Sequence, residues 1–135
     1  MGIYTPSPAG SKMHRPFLVA GFALALLAVG AGAFGTHGLR GALDGARLAT
    51  FETAVRYQMY HALALIGVGL AAARWPGPAW SGPGVLFLFG TVLFSGSLYA
   101  LALTGIGAFG AIAPIGGAGL LLGWGTGLLV VLRET

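Results

Sequence analysis

Four long apolar segments dominate this sequence and restrict it to folds that are stable in a lipid bilayer. The first covers residues 16–36, and a helix of about 20 residues, rising 1.5 Å per residue, crosses a hydrocarbon layer about 30 Å thick. The other three cover residues 57–73, 85–103 and 109–132. Because lipid offers no hydrogen bonds to the backbone, each segment is predicted to be a membrane-spanning helix.

The composition supports a membrane protein and excludes several kinds of site. Charged residues make up 7% of the 135 residues, whereas soluble domains contain about 25%. The chain has no cysteine, which excludes disulfides, thiolate metal sites, iron–sulfur clusters and cysteine nucleophiles. Its seven Lys and Arg residues are scattered, so they form no patch for nucleic acid and are typical of interfacial anchors.

These segments predict an all-α integral membrane protein with four transmembrane helices in a compact antiparallel bundle. Residues 1–12 are rich in Pro, Gly and Ser and are predicted to be a flexible tail, so that residues 13–135 form one domain. A short interfacial helix, capped by Asp44, is expected before the second span. Ala31 and Ala33 also fit a secretory cleavage site, and cleavage there would leave three spans.

The distribution of basic residues predicts the orientation of the chain. With four spans, both termini lie on one side together with the loop that contains Trp75 and Trp80, which are expected at the membrane interface. That side has four basic residues against three in the first loop. They are Lys12, Arg15, Arg74 and Arg133 on the first side, and Arg40, Arg47 and Arg56 on the second. The excess favours cytoplasmic termini in the cell (inner) membrane.

Small residues at a spacing of four mark two candidate faces for helix packing. The fourth span has Gly119, Gly123 and Gly127, and the third has Gly96, Ala100 and Thr104. Small side chains let helix backbones approach closely in lipid, where the hydrophobic effect does not draw helices together. Such a face could pack internally or on another protomer, and with 25 glycines in the chain some of these spacings arise by chance.

A polar run, FETAVRYQMYHALAL at Phe51–Leu65, leads into the second span. Glu52 and Arg56 are four residues apart and are predicted to form an ion pair on one side of a helix. Tyr57 and Gln58 are the local polar neighbours of His61, which lies about one turn inside the apolar segment. An imidazole at that depth needs a partner. His37, at the end of the first span, is on the same side of the membrane and could approach it.

The third span contains Ser95, Ser97 and Tyr99 at lipid depth. Serines in such helices commonly bond to carbonyls of their own helix. The alternative is a polar cavity between the second and third spans. Two histidines without carboxylate support are a weak metal signal, and no Ser-His-Asp order, phosphate loop or HExxH run is present. We therefore expect no metal, no cofactor and no enzymatic activity.

Several of these stretches resemble a known family. GAFGTHGL, FETAVRYQMYHALAL, LFSGSLYALALTG and APIGGAGLLLGW are similar to the small membrane family catalogued as domain of unknown function 423, whose animal relatives are called transmembrane protein 256. The resemblance covers about residues 14–133. It implies a compact protein of three or four membrane helices and brings no activity, substrate or cofactor with it.

Three functions remain open on the sequence alone, and a membrane redox or metal enzyme that uses His37 and His61 is the weakest of them. The first is a structural or accessory membrane protein that interacts with lipids or with a partner, as a homo-oligomer or within a larger membrane complex. The second is an oligomeric channel or carrier for a small solute or protons, with His61 and the Ser95–Tyr99 strip lining its path.

Overall fold

The protein is described here by a computed structural model that covers residues 2–3 and 8–134, with side chains at residues 2–3 and from residue 14 onward. Four helices account for most of these residues: α1 (Pro8–His37), α2 (Gly45–Arg74), α3 (Ser81–Thr104) and α4 (Ala108–Glu134). A short 3-10 turn, Pro78–Trp80, precedes α3. The predicted flexible tail, residues 1–12, lies partly outside the described residues, and α1 begins at Pro8.

Three of the helical segments are long and apolar enough to cross a membrane: His14–His37, Pro78–Thr104 and Ala108–Glu134. They include the predicted first, third and fourth spans. Helix α2 is as long, with 30 residues, but its first half carries the polar run and lowers its hydropathy. The sequence predicted a short interfacial helix that leads into the second span. In the structure these residues form one unbroken helix from Gly45 to Arg74, because no Gly or Pro interrupts the polar run.

The ends of the helices follow ordinary capping chemistry. Asp44 caps α2 as predicted, since its carboxylate accepts a hydrogen bond from the Arg47 amide at 2.8 Å. Gly105 ends α3 with a φ of 72°, a left-handed conformation that favours glycine. This residue lets the chain reverse within three residues and start α4 at Ala108.

The helices pack in the order of the chain. In the described residues, α1 lies along α2, α2 along α3 and α3 along α4, while α4 makes no extensive contact with α1 or α2. Gly35 lies against Phe51 near the start of α2, and Gly69, near its end, lies against Leu18. The compact bundle of the sequence prediction is therefore more open than expected, with a groove between α2 and α4.

The side chain of Trp80 lies in a different environment from the membrane interface that the sequence predicted. Its side chain is only 4% exposed and belongs to a core that also includes Phe17, Ala72 and Phe87. Trp75 is half-buried, with the Arg74 guanidinium 5.3 Å from its ring centre. The turn at Pro78 thus directs Trp80 into the core between the helices, while Trp75 stays partly exposed.

Candidate functional site

The polar run on α2 contacts each of the other three helices. Gln58 is the central residue of these contacts and is buried. Its amide nitrogen donates to the Leu24 carbonyl of α1 at 2.8 Å, and its amide oxygen accepts from the Tyr99 hydroxyl of α3 at 2.7 Å. One side chain thus joins three helices. Sequence reasoning had treated it as a local neighbour of His61.

The two serines of α3 behave differently from each other. Ser97 donates to the Phe94 carbonyl of its own helix at 2.9 Å, as expected for a serine in a membrane helix. Ser95 is fully buried and donates across to the Ala54 carbonyl of α2 at 2.8 Å. Both hydroxyls are thus engaged by backbone. Thr91, also buried on α3, has no hydrogen-bond partner for its hydroxyl among the described residues.

His61 has a partner on each ring nitrogen. Nδ1 lies 2.7 Å from the Tyr57 carbonyl oxygen, and Nε2 lies 3.1 Å from the indole nitrogen of Trp124. A carbonyl oxygen can only accept and an indole N–H can only donate. The two contacts together therefore assign the neutral imidazole with its proton on Nδ1.

The sequence placed His61 about one turn inside the predicted span at residues 57–73. His61 is the seventeenth residue of the 30-residue helix α2, and so lies close to the middle of that helix. The imidazole is surrounded by rings, with centres of Tyr57, Phe87 and Trp124 at 6.0, 5.7 and 5.9 Å. The environment of His61 is aromatic, and its polar contacts are limited to two satisfied hydrogen bonds.

His37 does not take part in this site. It is exposed at the end of α1. Leu24, the α1 partner of Gln58, precedes His37 by thirteen residues, or about 20 Å along a helix. His61 lies one turn further from His37 than Gln58 does, so the predicted approach of the two histidines does not occur. In the part of the chain that the structure describes, no three His, Asp or Glu side chains are grouped so as to hold a metal ion.

Glu52 and Arg56 are exposed on the outer side of α2. Arg56 donates a hydrogen bond to the Thr53 hydroxyl at 3.3 Å. Among the described residues, Arg56 does not form the predicted ion pair with Glu52. Both line a shallow cavity of about 240 Å³ beside Gly32 and Gly35 of α1. Solvent and lipid headgroups can solvate both charges there, which removes the need for a direct pair.

Sequence reasoning missed two residues, Trp124 and Arg47. Trp124 is the partner of His61, and its position inside an apolar segment gave no signal of that role. Arg47 donates from Nε to the Ala102 carbonyl at 2.7 Å and from Nη2 to the Leu103 carbonyl at 2.8 Å. Its guanidinium therefore satisfies the free carbonyls at the end of α3, whereas the sequence suggested only a loop charge for orientation.

The predicted packing glycines fall in different environments. Gly119 and Gly123 face α3, where added Cβ atoms would meet Gly90 and Phe87. Gly127 faces Pro83 more loosely, at 3.8 Å. Gly96 is exposed, and a Cβ added there would meet no neighbouring helix within 4 Å, while Ala100 is half-buried. Helix α3 instead meets α4 at Gly90, which approaches Gly116 and Leu120.

The groove between α2 and α4 contains two cavities. The larger, about 740 Å³, is lined by Tyr57, His61 and Phe94 on one side and by Pro114 and other α4 residues on the other. The second, about 640 Å³, continues from Tyr60 towards Trp80 and Val131. Tyr60 and Trp124 line both cavities. The hydrogen bond from Trp124 to His61 thus crosses the groove where its two halves meet.

Comparison with known proteins places the chain among small bacterial membrane proteins. The family described as "Protein of unknown function (DUF423)" matches residues 31–117. A UPF0382 membrane protein of Staphylococcus epidermidis is 45% identical over 116 residues, covering 82% of this chain and 89% of the relative. The UPF0382 membrane protein of Staphylococcus haemolyticus is 48% identical over 114 residues, covering 80% of this chain and 88% of the relative.

A third relative, the UPF0382 membrane protein YwdK of Bacillus subtilis, is 46% identical over 111 residues, with 82% of this chain and 90% of the relative covered. No solved structure matches the chain significantly. The family match over residues 31–117 and identities near 45% over most of both chains confirm the resemblance found in the motifs: this chain belongs to the DUF423 family and, like its UPF0382 relatives, is a membrane protein.

Proposed function

We propose that this protein is a non-catalytic, four-span protein of the cell membrane that acts as a structural or accessory component, in contact with lipids and a membrane partner. The observation that carries this proposal is the double hydrogen bond of Gln58 to α1 and α3. Polar side chains at lipid depth serve either a path for solutes or the joining of helices. Here the hydrogen bonds of Gln58, Ser95 and Tyr99 run from helix to helix.

The proposal includes α2 as the fourth span, antiparallel to α1 and α3. A helix of 30 residues is about 45 Å long, enough for the hydrocarbon layer and both headgroup regions. The polar groups of α2 that would lie deepest, Gln58 and His61, are both hydrogen-bonded, which lowers the cost of placing them in lipid. Glu52 and Arg56 lie in the N-terminal half of α2 and are exposed, so that their charged groups can reach the headgroups.

For the alternative, a channel or carrier, one observation is favourable and others are unfavourable. It gains from the position of His61 near the middle of α2, because coupling groups usually lie near the membrane midplane. It loses because both imidazole nitrogens are occupied and because Ser95 and Tyr99 bond to α2. These bonds would have to break for a solute or proton to pass, so the structural role is the better supported one.

The absence of cysteine allows a direct test of the topology. We expect Ala42→Cys and Gly107→Cys to react with an impermeant maleimide from outside intact cells, and Ala79→Cys to react only in inside-out vesicles. This pattern follows from four spans with both termini in the cytoplasm. If Ala42→Cys and Ala79→Cys react from the same side, α2 does not span the membrane and the four-span proposal is wrong.

Proton flux separates the two functions. Purified protein in liposomes containing a pH-sensitive dye should dissipate an imposed pH gradient no faster than protein-free liposomes. Flux by the native protein that is abolished in His61→Gln would establish the carrier and overturn the structural role. Tyr60→Phe, an exposed ring beside the same groove, is the control for a general effect on the liposomes.

A further inference from the structure

The half of the α2–α4 groove next to the tryptophan loop matches one leaflet of a bilayer in length. This half is lined along α2 from Tyr60 to Ala71 and along α4 from Trp124 to Val131, and its volume is about 640 Å³. Eleven residues of helix rise about 16 Å, close to half of a hydrocarbon layer that is about 30 Å thick. The volume is also within the range of about 300–1,000 Å³ found for ligand sites.

The walls of this half-groove are mostly apolar and suit a hydrocarbon chain, while the buried indole N–H of Trp80, which also lines it, has no hydrogen-bond partner among the described residues. Leu63, Val68 and Leu128 contribute aliphatic surface, and Phe87 forms part of the floor. At the inner end the indole N–H of Trp124 is already donated to His61. A polar ligand would therefore find no free hydrogen bond from this pair, whereas an alkyl chain loses nothing by ending there.

The outer end of the same half-groove is positively charged. Arg74 is the last residue of α2 and Arg133 lies in the last turn of α4, so both helices that form the groove end in an exposed arginine at this end. Glu134 is the only acid among the described residues at this end of the two helices. Guanidinium groups are well suited to phosphate, and basic residues near a membrane surface favour anionic lipids.

From this combination we propose that the half-groove between α2 and α4 binds one acyl chain of an anionic phospholipid, with its phosphate between Arg74 and Arg133. The lipid comes from the leaflet on the tryptophan-loop side, and its chain ends at Trp124. This site would give the proposed accessory protein a defined lipid partner. It rests on the four-span arrangement, which the cysteine-labelling pattern tests independently of any lipid binding.

Native mass spectrometry of delipidated protein, titrated with dioleoylphosphatidylglycerol in mild detergent, measures this site. We expect the first lipid molecule to bind more tightly than any that bind after it. Gly67→Leu should weaken that first binding about tenfold, because Gly67 lines the half-groove and has open space beside it. Gly30→Leu is the matched control, since Gly30 is an equally open and exposed glycine on α1, away from the groove.

The charge of the headgroup is tested by a double variant. Arg74→Gln with Arg133→Gln should weaken dioleoylphosphatidylglycerol about tenfold and leave dioleoylphosphatidylcholine unchanged, whereas Arg40→Gln, in the exposed first loop, should leave both unchanged. Equal lipid affinity in Gly67→Leu and Gly30→Leu would overturn the site. So would a protein dimer that Gly67→Leu dissociates without any change in bound lipid, because the groove would then hold a second copy. Neither result alters the labelling pattern that tests the spans.

Discussion

The two sides of α2 hold their polar residues in different ways. On the side of α1 and α3, Gln58 forms hydrogen bonds with both helices, and the Ala54 carbonyl accepts one from Ser95 of α3. On the side of α4, His61 has a single bond to another helix, and open groove lies on either side of it. The first side is built to hold the fold together, and the second leaves room for something else.

The difference follows from the size of the residues at each contact. Gly21 of α1 lies so close to α2 that an added Cβ would be 2.8 Å from the Ala62 carbonyl oxygen. On the other side, the large rings of Tyr57, Tyr60 and Trp124 line the open groove between α2 and α4. Small residues let helices close on each other, and large rings at a contact keep a gap that lipid or a ligand can fill.

Stability should be most sensitive to added side-chain volume at the small residues where α1 packs closely on α2. We expect Gly21→Val to destabilise the protein by about 3 kcal/mol, because its side chain would meet backbone atoms of α2 that cannot rotate away. Gly67→Ala, on the groove side with no atom within 4 Å, should instead be neutral or stabilising by about 0.5–1 kcal/mol. Unfolding in SDS, followed by circular dichroism, measures both. Equal losses would show that the groove side is as closed as the α1 side.

Removal of the central amide should have the next largest effect. Gln58→Leu leaves the Leu24 carbonyl and the Tyr99 hydroxyl without their partner, for an expected cost of about 1–2 kcal/mol. Tyr99→Phe removes only one of the two bonds and should cost about 0.6 kcal/mol. The same unfolding measurement applies, with Met59→Leu as a control for the neighbouring position. A Gln58→Leu protein as stable as the native one would mean that these bonds do not hold the helices.

A smaller loss of stability than that of Gln58→Leu is expected where α2 meets the groove. Trp124→Phe removes the N–H that His61 accepts but keeps an aromatic ring beside Phe87, whose ring centre is 4.8 Å away. We expect a loss of about 0.6 kcal/mol, the average for hydrogen bonds between membrane helices. A loss larger than that of Gln58→Leu would reverse the comparison and place the main polar contact of the fold at the groove.

Much of the helical structure could be predicted, because it depends on local patterns. The apolar lengths gave α1, α3 and α4, and the Asp44 cap was found from its position before a helical pattern. The short interfacial helix predicted before the second span is the first part of the same helix, because no Gly or Pro interrupts the chain between Ala46 and Ile66.

Most contacts of the candidate site could not be predicted in the same way. The sequence indicated that His61 needs a partner, but the local neighbours offered only the Tyr57 carbonyl. Trp124 lies 63 residues away, and Ala102, the acceptor for Arg47, lies 55 residues away. Whether such side chains meet depends on the rotation and height of one helix against another, which apolar segments of similar length leave undetermined.

The sequence alone determined that this is a helical membrane protein of its family, since segment length, low charge and local motifs are properties of the chain itself. It also determined that polar residues enter α2. The tertiary structure decided what those residues do: Gln58 joins three helices, and His61 with Trp124 crosses an open groove. The physical reason is that a hydrogen bond in lipid needs a partner within about 3 Å, and only the packing of the helices brings that partner into reach.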